Sequence, residues 1–186
     1  MTSDQTWCKF VRITWIVNSH FVTNKKTLVL GLGNDILTDD GIGPRLVHDL
    51  AKIFKNPDIQ FDTACCGGLE IMEYIKGYNK VVFIDATRTR NGNPGDVYYF
   101  IPSDFRETSN LSNLHDLNFL TALKLGTTLE LGLPGDLHII AIEIFEDREF
   151  SEEFSPYLKE RYPGILDETC VILKRIVELN KIQEQT

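Results

Sequence analysis

The sequence lacks the features typical of membrane, disulfide-stabilised or nucleic-acid-binding proteins. No apolar run is long and clean enough to span a membrane or serve as a secretion signal. The four cysteines form no C-x-x-C pair, which argues against a disulfide framework or zinc site and favours a reducing compartment. A net charge of -8 argues against nucleic acid as a partner. We therefore expect a cytoplasmic protein that binds neither membranes nor nucleic acid.

Several common catalytic motifs are also missing. The chain contains no G-x-x-x-x-G-K, no G-x-S-x-G and no H-E-x-x-H. Gly31 and Gly33 could open a dinucleotide fingerprint, but Ile36 stands where its third glycine belongs. Two acids follow at the start of the first predicted helix, where they would repel a pyrophosphate. The sequence therefore contains no motif that would indicate a P-loop NTPase, a serine hydrolase, a zincin metalloprotease or a dinucleotide-binding enzyme.

Length and composition predict one globular domain. The chain has 186 residues, of which 42% are hydrophobic and 25% are charged, values that suit a single core. We assign residues 27–186 to that domain. Residues 1–26 form an N-terminal arm of uncertain structure, which could be an added strand, a flexible arm or an overlong start.

Strands and helices alternate in the apolar pattern. Strands are predicted over residues 27–32, 59–63, 80–85, 96–101 and 137–144. Helices are predicted over residues 42–54, 69–75 and 117–125, with a last helix that begins near Pro163 or Gly164. This order indicates an α/β fold, a three-layer α/β/α sandwich with a mainly parallel five-stranded sheet. The turn at residues 91–95 joins two strands directly, so we expect one antiparallel strand.

Three residues are candidates for a metal site. Asp40 follows the first strand, Asp85 ends the third predicted strand, and His115 precedes the third predicted helix, with Asp116 as its N-cap. In a parallel sheet all three could converge at the carboxyl edge, where open α/β sheets bind ligands. Two carboxylates and an imidazole suit a divalent transition metal and leave positions open for a substrate group or water.

Each candidate also has a purely structural interpretation. Asp40 could favour the positive end of the helix dipole. Asp85 could be a turn residue at a strand end, and His115 could be a surface loop histidine. The combination is more specific than any one member, because each residue falls where the fold predicts a ligand-binding edge.

Two neighbours of Asp40 are candidates for a supporting role. Asp39 could orient a ligand or a backbone amide, or it could be a charge at the helix start. Asn34 could hold the loop through hydrogen bonds between its side chain and the backbone.

At this point the residues resemble a known family. The run GLGNDILTDDGIG at residues 31–43 resembles the opening signature of the [NiFe]-hydrogenase maturation endopeptidases. Weaker resemblances follow in the family's order, over residues 68–72, 81–86, 115–117 and 150–156. Together they cover residues 27–178, nearly all of the chain beyond the arm.

The resemblance implies a fold and a function. It implies a twisted five-stranded sheet between helices, and a metal-dependent endopeptidase that removes the C-terminal extension of the hydrogenase large-subunit precursor after nickel insertion. The family's metal-binding and catalytic residues carry over onto Asp40, Asp85 and His115; position 40 is Glu or Asp in the family. The Ni²⁺ ion would be supplied by the precursor, and zinc or cadmium could occupy the same ligands in vitro. The implied partner is the precursor, and we expect the enzyme to be a monomer.

The chain departs from the family pattern after the second strand. Many members carry Gly-Gly-Thr there, whereas this chain has Cys65 and Cys66 after Thr63 and Ala64. Glycines would allow a substrate backbone to approach closely, so the cysteines could change the substrate path or contact the metal. Two alternatives to proteolysis stay open: a nickel-sensing or chaperone-like binder that does not cleave the large subunit, and a sporulation-type relative that acts on other proteins.

Overall fold

The computed structural model describes residues 27–102, 104, 126, 128–129 and 131–183. His115, its predicted N-cap Asp116 and the third predicted helix, residues 117–125, lie outside the described residues. Residues 1–26 also lie outside them, so the assignment of an arm followed by a single domain stays a prediction.

The sheet has the predicted architecture. Its strands are β1 (Thr27–Leu32), β2 (Ile59–Ala64), β3 (Lys80–Thr87), β4 (Val97–Phe100) and β5 (Asp136–Glu143). They lie in the order β2-β1-β3-β5-β4. The β1–β2, β1–β3 and β3–β5 pairs are parallel, and β4 pairs antiparallel with β5. The prediction of a mainly parallel five-stranded sheet with one antiparallel strand is therefore confirmed.

Helices cover both faces of the sheet. In the described residues these are α1 (Ile42–Ile53), α2 (Ile71–Ile75) and α3 (Pro156–Gln183). One core cluster joins the sheet to α1 and α3, and a second joins the other face to α2. The apolar strand residues divide between the two clusters because successive side chains point to opposite faces. No helix of the described residues is both long and apolar enough to cross a membrane.

The predicted start of the last helix was wrong. Helix α3 begins at Pro156, seven residues before Pro163, which lies inside the helix. Proline is favoured in a first helical turn, and the hydroxyl of Ser155 accepts a hydrogen bond from the Leu158 N–H at 3.4 Å. Leu158 and Ile165, on either side of Pro163, are both buried, and this burial favours helix across the proline.

Glycines allow α1 to sit directly on the strands. A Cβ on Gly43 would collide with the carbonyl oxygen of Leu32 and lie 2.5 Å from that of Ile84. A Cβ on Gly31 would lie 2.6 Å from the Gly43 carbonyl oxygen. The first turn of α1 is therefore held against the ends of β1 and β3, which fixes the position of the turn that precedes it.

Two buried side chains, Lys80 and His138, bind exposed partners at the opposite, amino edge of the sheet. The Lys80 ammonium donates to the Ile176 carbonyl at 2.8 Å and lies 3.1 Å from the Asp136 carboxylate. His138 lies between Asp136, 2.8 Å from its Nε2, and the Tyr99 hydroxyl, 2.8 Å from its Nδ1. Burial lowers the pKa of His138, although Asp136 opposes that shift. His138 is therefore a structural residue of the sheet edge.

Gly43→Ala should lower the free energy of unfolding by about 3 kcal/mol, because the added methyl group meets backbone atoms that cannot move independently. Urea denaturation measures this change. Gly164→Ala is the matched control: it lies in α3 with no atom within 4 Å of the added Cβ. That variant should gain about 0.5–1 kcal/mol from helix propensity. A Gly43→Ala protein as stable as the wild type would contradict the close approach of α1.

The lowered pKa of His138 should make stability fall in weak acid. Between pH 7 and 5 the unfolded chain, with a histidine pKa of about 6.5, binds a proton that the folded state resists. The free energy of unfolding should therefore decrease as the pH falls through this window. His138→Gln should flatten the decrease, as measured by urea denaturation at several pH values. An equally steep pH dependence in that variant would show that other groups cause the loss.

Candidate functional site

Asp40 lies in a tight turn between β1 and α1. The turn is the 3-10 segment Thr38–Gly41. Oδ2 of Asp40 accepts a hydrogen bond from the Asn34 N–H at 2.7 Å, and Oδ1 of Asn34 accepts one from the Ile36 N–H at 3.2 Å. Gly33 has φ +136, and a Cβ there would collide with the Asp40 carbonyl oxygen. The loop thus closes onto Asp40, and Asn34 makes the local backbone contact expected from the sequence.

Asp85 lies inside β3 and does not end it, which corrects the predicted strand boundary. The strand continues to Thr87 because β5 pairs with it as far as the Thr87–Glu143 pair. The ladder between β3 and β1 ends at Ile84, so Asp85 is the first residue of β3 beyond that pairing. Oδ1 of Asp85 accepts a hydrogen bond from the N–H of Ala86 at 2.8 Å. The carboxylate is therefore at the carboxyl edge, next to the end of β1.

The structure brings the turn of Asp40 and the strand of Asp85 to one edge. The turn packs against β3, and the start of α1 lies over the Ile84 carbonyl. Within the described part of the chain, no three His, Cys, Asp or Glu side chains form a group that could hold a metal. The third candidate ligand, His115, lies outside that part. The arrangement provides two carboxylates at the edge where α/β sheets bind ligands.

Asp39 is a buried anchor for a distant segment. Its carboxylate has no exposed surface. It accepts hydrogen bonds at 2.8 Å from both the N–H and the hydroxyl of Ser155, at 3.0 Å from the Glu146 N–H and at 3.4 Å from the Phe145 N–H. These contacts fit the interpretation in which Asp39 orients backbone amides. Its partners lie 106 to 116 residues further along the chain, and the sequence did not connect them with Asp39.

Thr38 adds two more bonds to the same segment and adopts a strained backbone. Its φ is 43, the left-handed region that β-branched residues rarely occupy. Its N–H donates to the Ser151 carbonyl at 2.9 Å and its hydroxyl donates to the Glu149 carbonyl at 2.6 Å. No sequence pattern marks Thr38, whereas Ser155 before Pro156 is a readable helix-start signal.

Cys65 and Cys66 lie near this edge, but the Cys66 thiol is a poor candidate for a metal ligand. The Gly33 N–H donates to the Ala64 carbonyl at 3.3 Å, which brings the end of β2 beside the Asp40 loop. Cys65 is exposed, whereas Cys66 is half-buried and packs against the core. Burial raises the pKa of the Cys66 thiol, and the charges of Glu70 and Cys65 raise it further. Because thiolate is the form that binds metal, Cys66 is disfavoured as a ligand at neutral pH.

A cavity of about 440 Å³ between α1 and α3 is separate from the two carboxylates. Its polar groups pair with each other. The Tyr162 hydroxyl donates to Asp49 at 2.8 Å, and the Lys159 ammonium donates to Glu153 at 2.7 Å. Burial, followed by the bond to Asp49, raises the pKa of Tyr162. The Tyr162–Asp49 bond joins α3 to α1, so this cavity is part of the contact between the helices. The candidate site remains the carboxyl edge of the sheet.

Comparison with solved structures identifies the fold. The HybD hydrogenase-maturating endopeptidase of Escherichia coli superposes with a TM-score of 0.62 at 22% identity, covering 81% of this chain and 93% of that one. The [NiFe] hydrogenase maturation protease HybD of Thermococcus kodakarensis superposes with a TM-score of 0.60 at 23% identity, covering 77% and 96%. This chain therefore has the α/β fold of the maturation endopeptidases.

Sequence comparison identifies the family. The model of the hydrogenase maturation protease family HycI matches residues 44–171, more than half of the chain. The chain belongs to the hydrogenase maturation protease family. It is also 30% identical over 73 residues to the hydrogenase 2 maturation protease of Escherichia coli K12. That alignment spans 39% of this chain and 44% of the curated relative.

Asp39→Asn should destabilise the protein by about 2–3 kcal/mol. The amide retains one acceptor oxygen, and its NH₂ group would face N–H and O–H donors that now bind a carboxylate. Urea denaturation at neutral pH measures the loss. Asp35→Asn, an exposed change in the same loop, is the control and should stay within about 0.5 kcal/mol of the wild type. Equal stability of the two variants would contradict the anchoring role of Asp39.

Proposed function

We propose that this protein is an endopeptidase that removes the C-terminal extension from the precursor of a [NiFe]-hydrogenase large subunit once nickel is in place. Membership of the maturation protease family supports the reaction class. The observation that carries the proposal is the packing of the Asp40 turn against β3 beside Asp85. It puts two of the three proposed ligands at one edge of the sheet.

The proposed mechanism uses the precursor's own nickel as the recognition element. Asp40, Asp85 and His115 would become additional ligands of that ion and so dock the scissile bond beside it. The Asn34 N–H, 2.7 Å from Oδ2 of Asp40, would hold that carboxylate in place. A divalent ion in this position can polarise a peptide carbonyl or lower the pKa of an attacking water. Zinc or cadmium would compete for the same ligands in vitro.

The proposal makes the enzyme dependent on its substrate for metal. A precursor without nickel would offer no ion for the carboxylates, so hydrolysis would not follow. The enzyme would therefore cleave nickel-loaded precursor and leave metal-free precursor intact, without a separate nickel sensor. We further propose that the enzyme works in the cytoplasm as a monomer.

Each of the variants Asp40→Asn, Asp85→Asn and His115→Ala should lower the cleavage rate more than about a hundredfold, or about 2.8 kcal/mol. Each removes one ligand of the ion that is proposed to act in the transition state. The measurement is the mass of nickel-loaded and metal-free precursor after incubation with purified protein. Wild-type protein should release a C-terminal peptide from the loaded precursor alone.

Matched controls separate ligand loss from general damage. Asp167→Asn changes an exposed acid on α3, and His48→Ala changes an exposed histidine on α1. Both should cleave as the wild type does, and all five variants should keep the wild-type urea midpoint. Normal cleavage by Asp85→Asn would defeat the proposal. Tight binding of loaded precursor without cleavage by the wild type would support the alternative, a chaperone-like binder.

A further inference from the structure

The segment tied to Asp39 carries exposed aromatic side chains on a fixed backbone. This anchored segment comprises residues 145–155, between β5 and α3. Its Phe145 and Phe150 are 63% and 81% exposed, and Ile36, on the neighbouring loop, is 49% exposed. We name these three side chains the apolar patch. Exposed apolar residues are common singly, but three on adjoining, well-bonded backbone indicate an interaction surface.

The backbone under the patch is held at several points. Besides the bonds to Asp39, the Ser151 N–H donates to the Ile36 carbonyl at 3.0 Å, and the Ser151 carbonyl accepts from Thr38 at 2.9 Å. The Asp39 N–H donates to the Glu146 carbonyl at 3.2 Å. Because the segment is already ordered, a partner would not have to immobilise its backbone on binding. Rigid aromatic side chains of this kind act as anchors in protein interfaces.

The patch adjoins the proposed ligand Asp40. Asp39 and Asp40 are consecutive, and Asp39 contacts the anchored segment through both its carboxylate and its N–H. A folded protein whose metal ion reached Asp40 would therefore lie against the anchored segment as well. This step rests on the proposed function, which places the precursor's nickel at that carboxylate.

The charge of the anchored segment indicates which charge the partner's surface should carry. It contains five acidic residues and one arginine. Asp147 and Glu153 pair with Arg88 and Lys159, each at 2.7 Å, whereas Glu149 and Glu152 are exposed and Glu146 is partly exposed. An apolar patch within an acidic border is complementary to an apolar surface bordered by lysine and arginine.

We propose that the anchored segment, with the apolar patch at its centre, is the docking surface for the nickel-loaded precursor. The precursor would present an apolar surface with a basic border next to its metal. The aromatic side chains would supply affinity, and the acidic residues would speed association and orient the two proteins. Docking of the polypeptide on this surface would thus bring the ion to the carboxylates.

The test compares precursor binding with precursor cleavage. Phe150→Ser alone, and Phe145→Ser combined with Phe150→Ser, should weaken binding of loaded precursor by about tenfold or more, measured by calorimetry. KM should rise correspondingly, while kcat at saturating precursor stays within about twofold, because the ligands are intact. Ile53→Ser is the matched control, a 50% exposed apolar residue at the end of α1, and it should bind as the wild type does.

A charge variant tests the acidic border independently. Glu149→Lys combined with Glu152→Lys should slow association at low salt by about tenfold, and the difference from the wild type should shrink at high salt. Unchanged urea midpoints should show that the fold is intact. Phe150→Ser should leave the core intact, since the Phe150 side chain is 81% exposed.

The outcomes distinguish this inference from the proposed endopeptidase activity. If the wild type cleaves the precursor but the double serine variant binds and cleaves equally well, the docking surface is wrong and the activity stands. If the wild type binds without cleaving, and the double variant loses binding, the docking surface stands and the endopeptidase proposal fails. If the wild type does not bind loaded precursor at all, the docking surface is overturned.

Discussion

The arrangement of the candidate site depends on one buried carboxylate. Asp39 accepts the N–H and hydroxyl of Ser155 and the N–H of Glu146, and so ties the turn before α1 to the anchored segment and to the start of α3. Burying a carboxylate costs free energy unless hydrogen-bond donors surround it. The buried Asp39 therefore needs the donors of the anchored segment, and those donors are held in place by Asp39. Asp40 follows directly in the chain, so the same contacts help to fix its backbone, and the Asn34 N–H holds its carboxylate.

The sheet and the edge that carries the site followed from the sequence. Parallel strands buried on both faces give continuous apolar runs, and residues 27–32 were predicted as a strand with the bounds that β1 has. Strand ends elsewhere differed by one or two residues because apolar patterning marks the buried middle of a strand better than its ends. Once the sheet is mainly parallel, topology alone puts Asp40 and Asp85 at the same edge.

Long-range contacts could not be predicted in the same way. The partners of Asp39 lie more than 100 residues away, and no local pattern links an acid at a helix start to Ser155. The start of α3 was misjudged because Pro163 and Gly164 resemble a helix start, whereas burial of Leu158 extends the helix back to Pro156. The continuation of β3 past Asp85 depends on pairing with β5, which is also a tertiary effect.

The two adjacent carboxylates of the turn lie in different environments and have different roles in the proposal. Asp39 is enclosed and accepts hydrogen bonds from the anchored segment, whereas Asp40 is partly exposed and accepts the Asn34 N–H within the turn that packs against β3. One peptide bond joins them, so in the proposed reaction contact of the precursor with the anchored segment and binding of its metal at Asp40 would stabilise the same turn. In the proposed reaction, recognition of the polypeptide and recognition of its metal would therefore be thermodynamically coupled, each strengthening the other by the same factor.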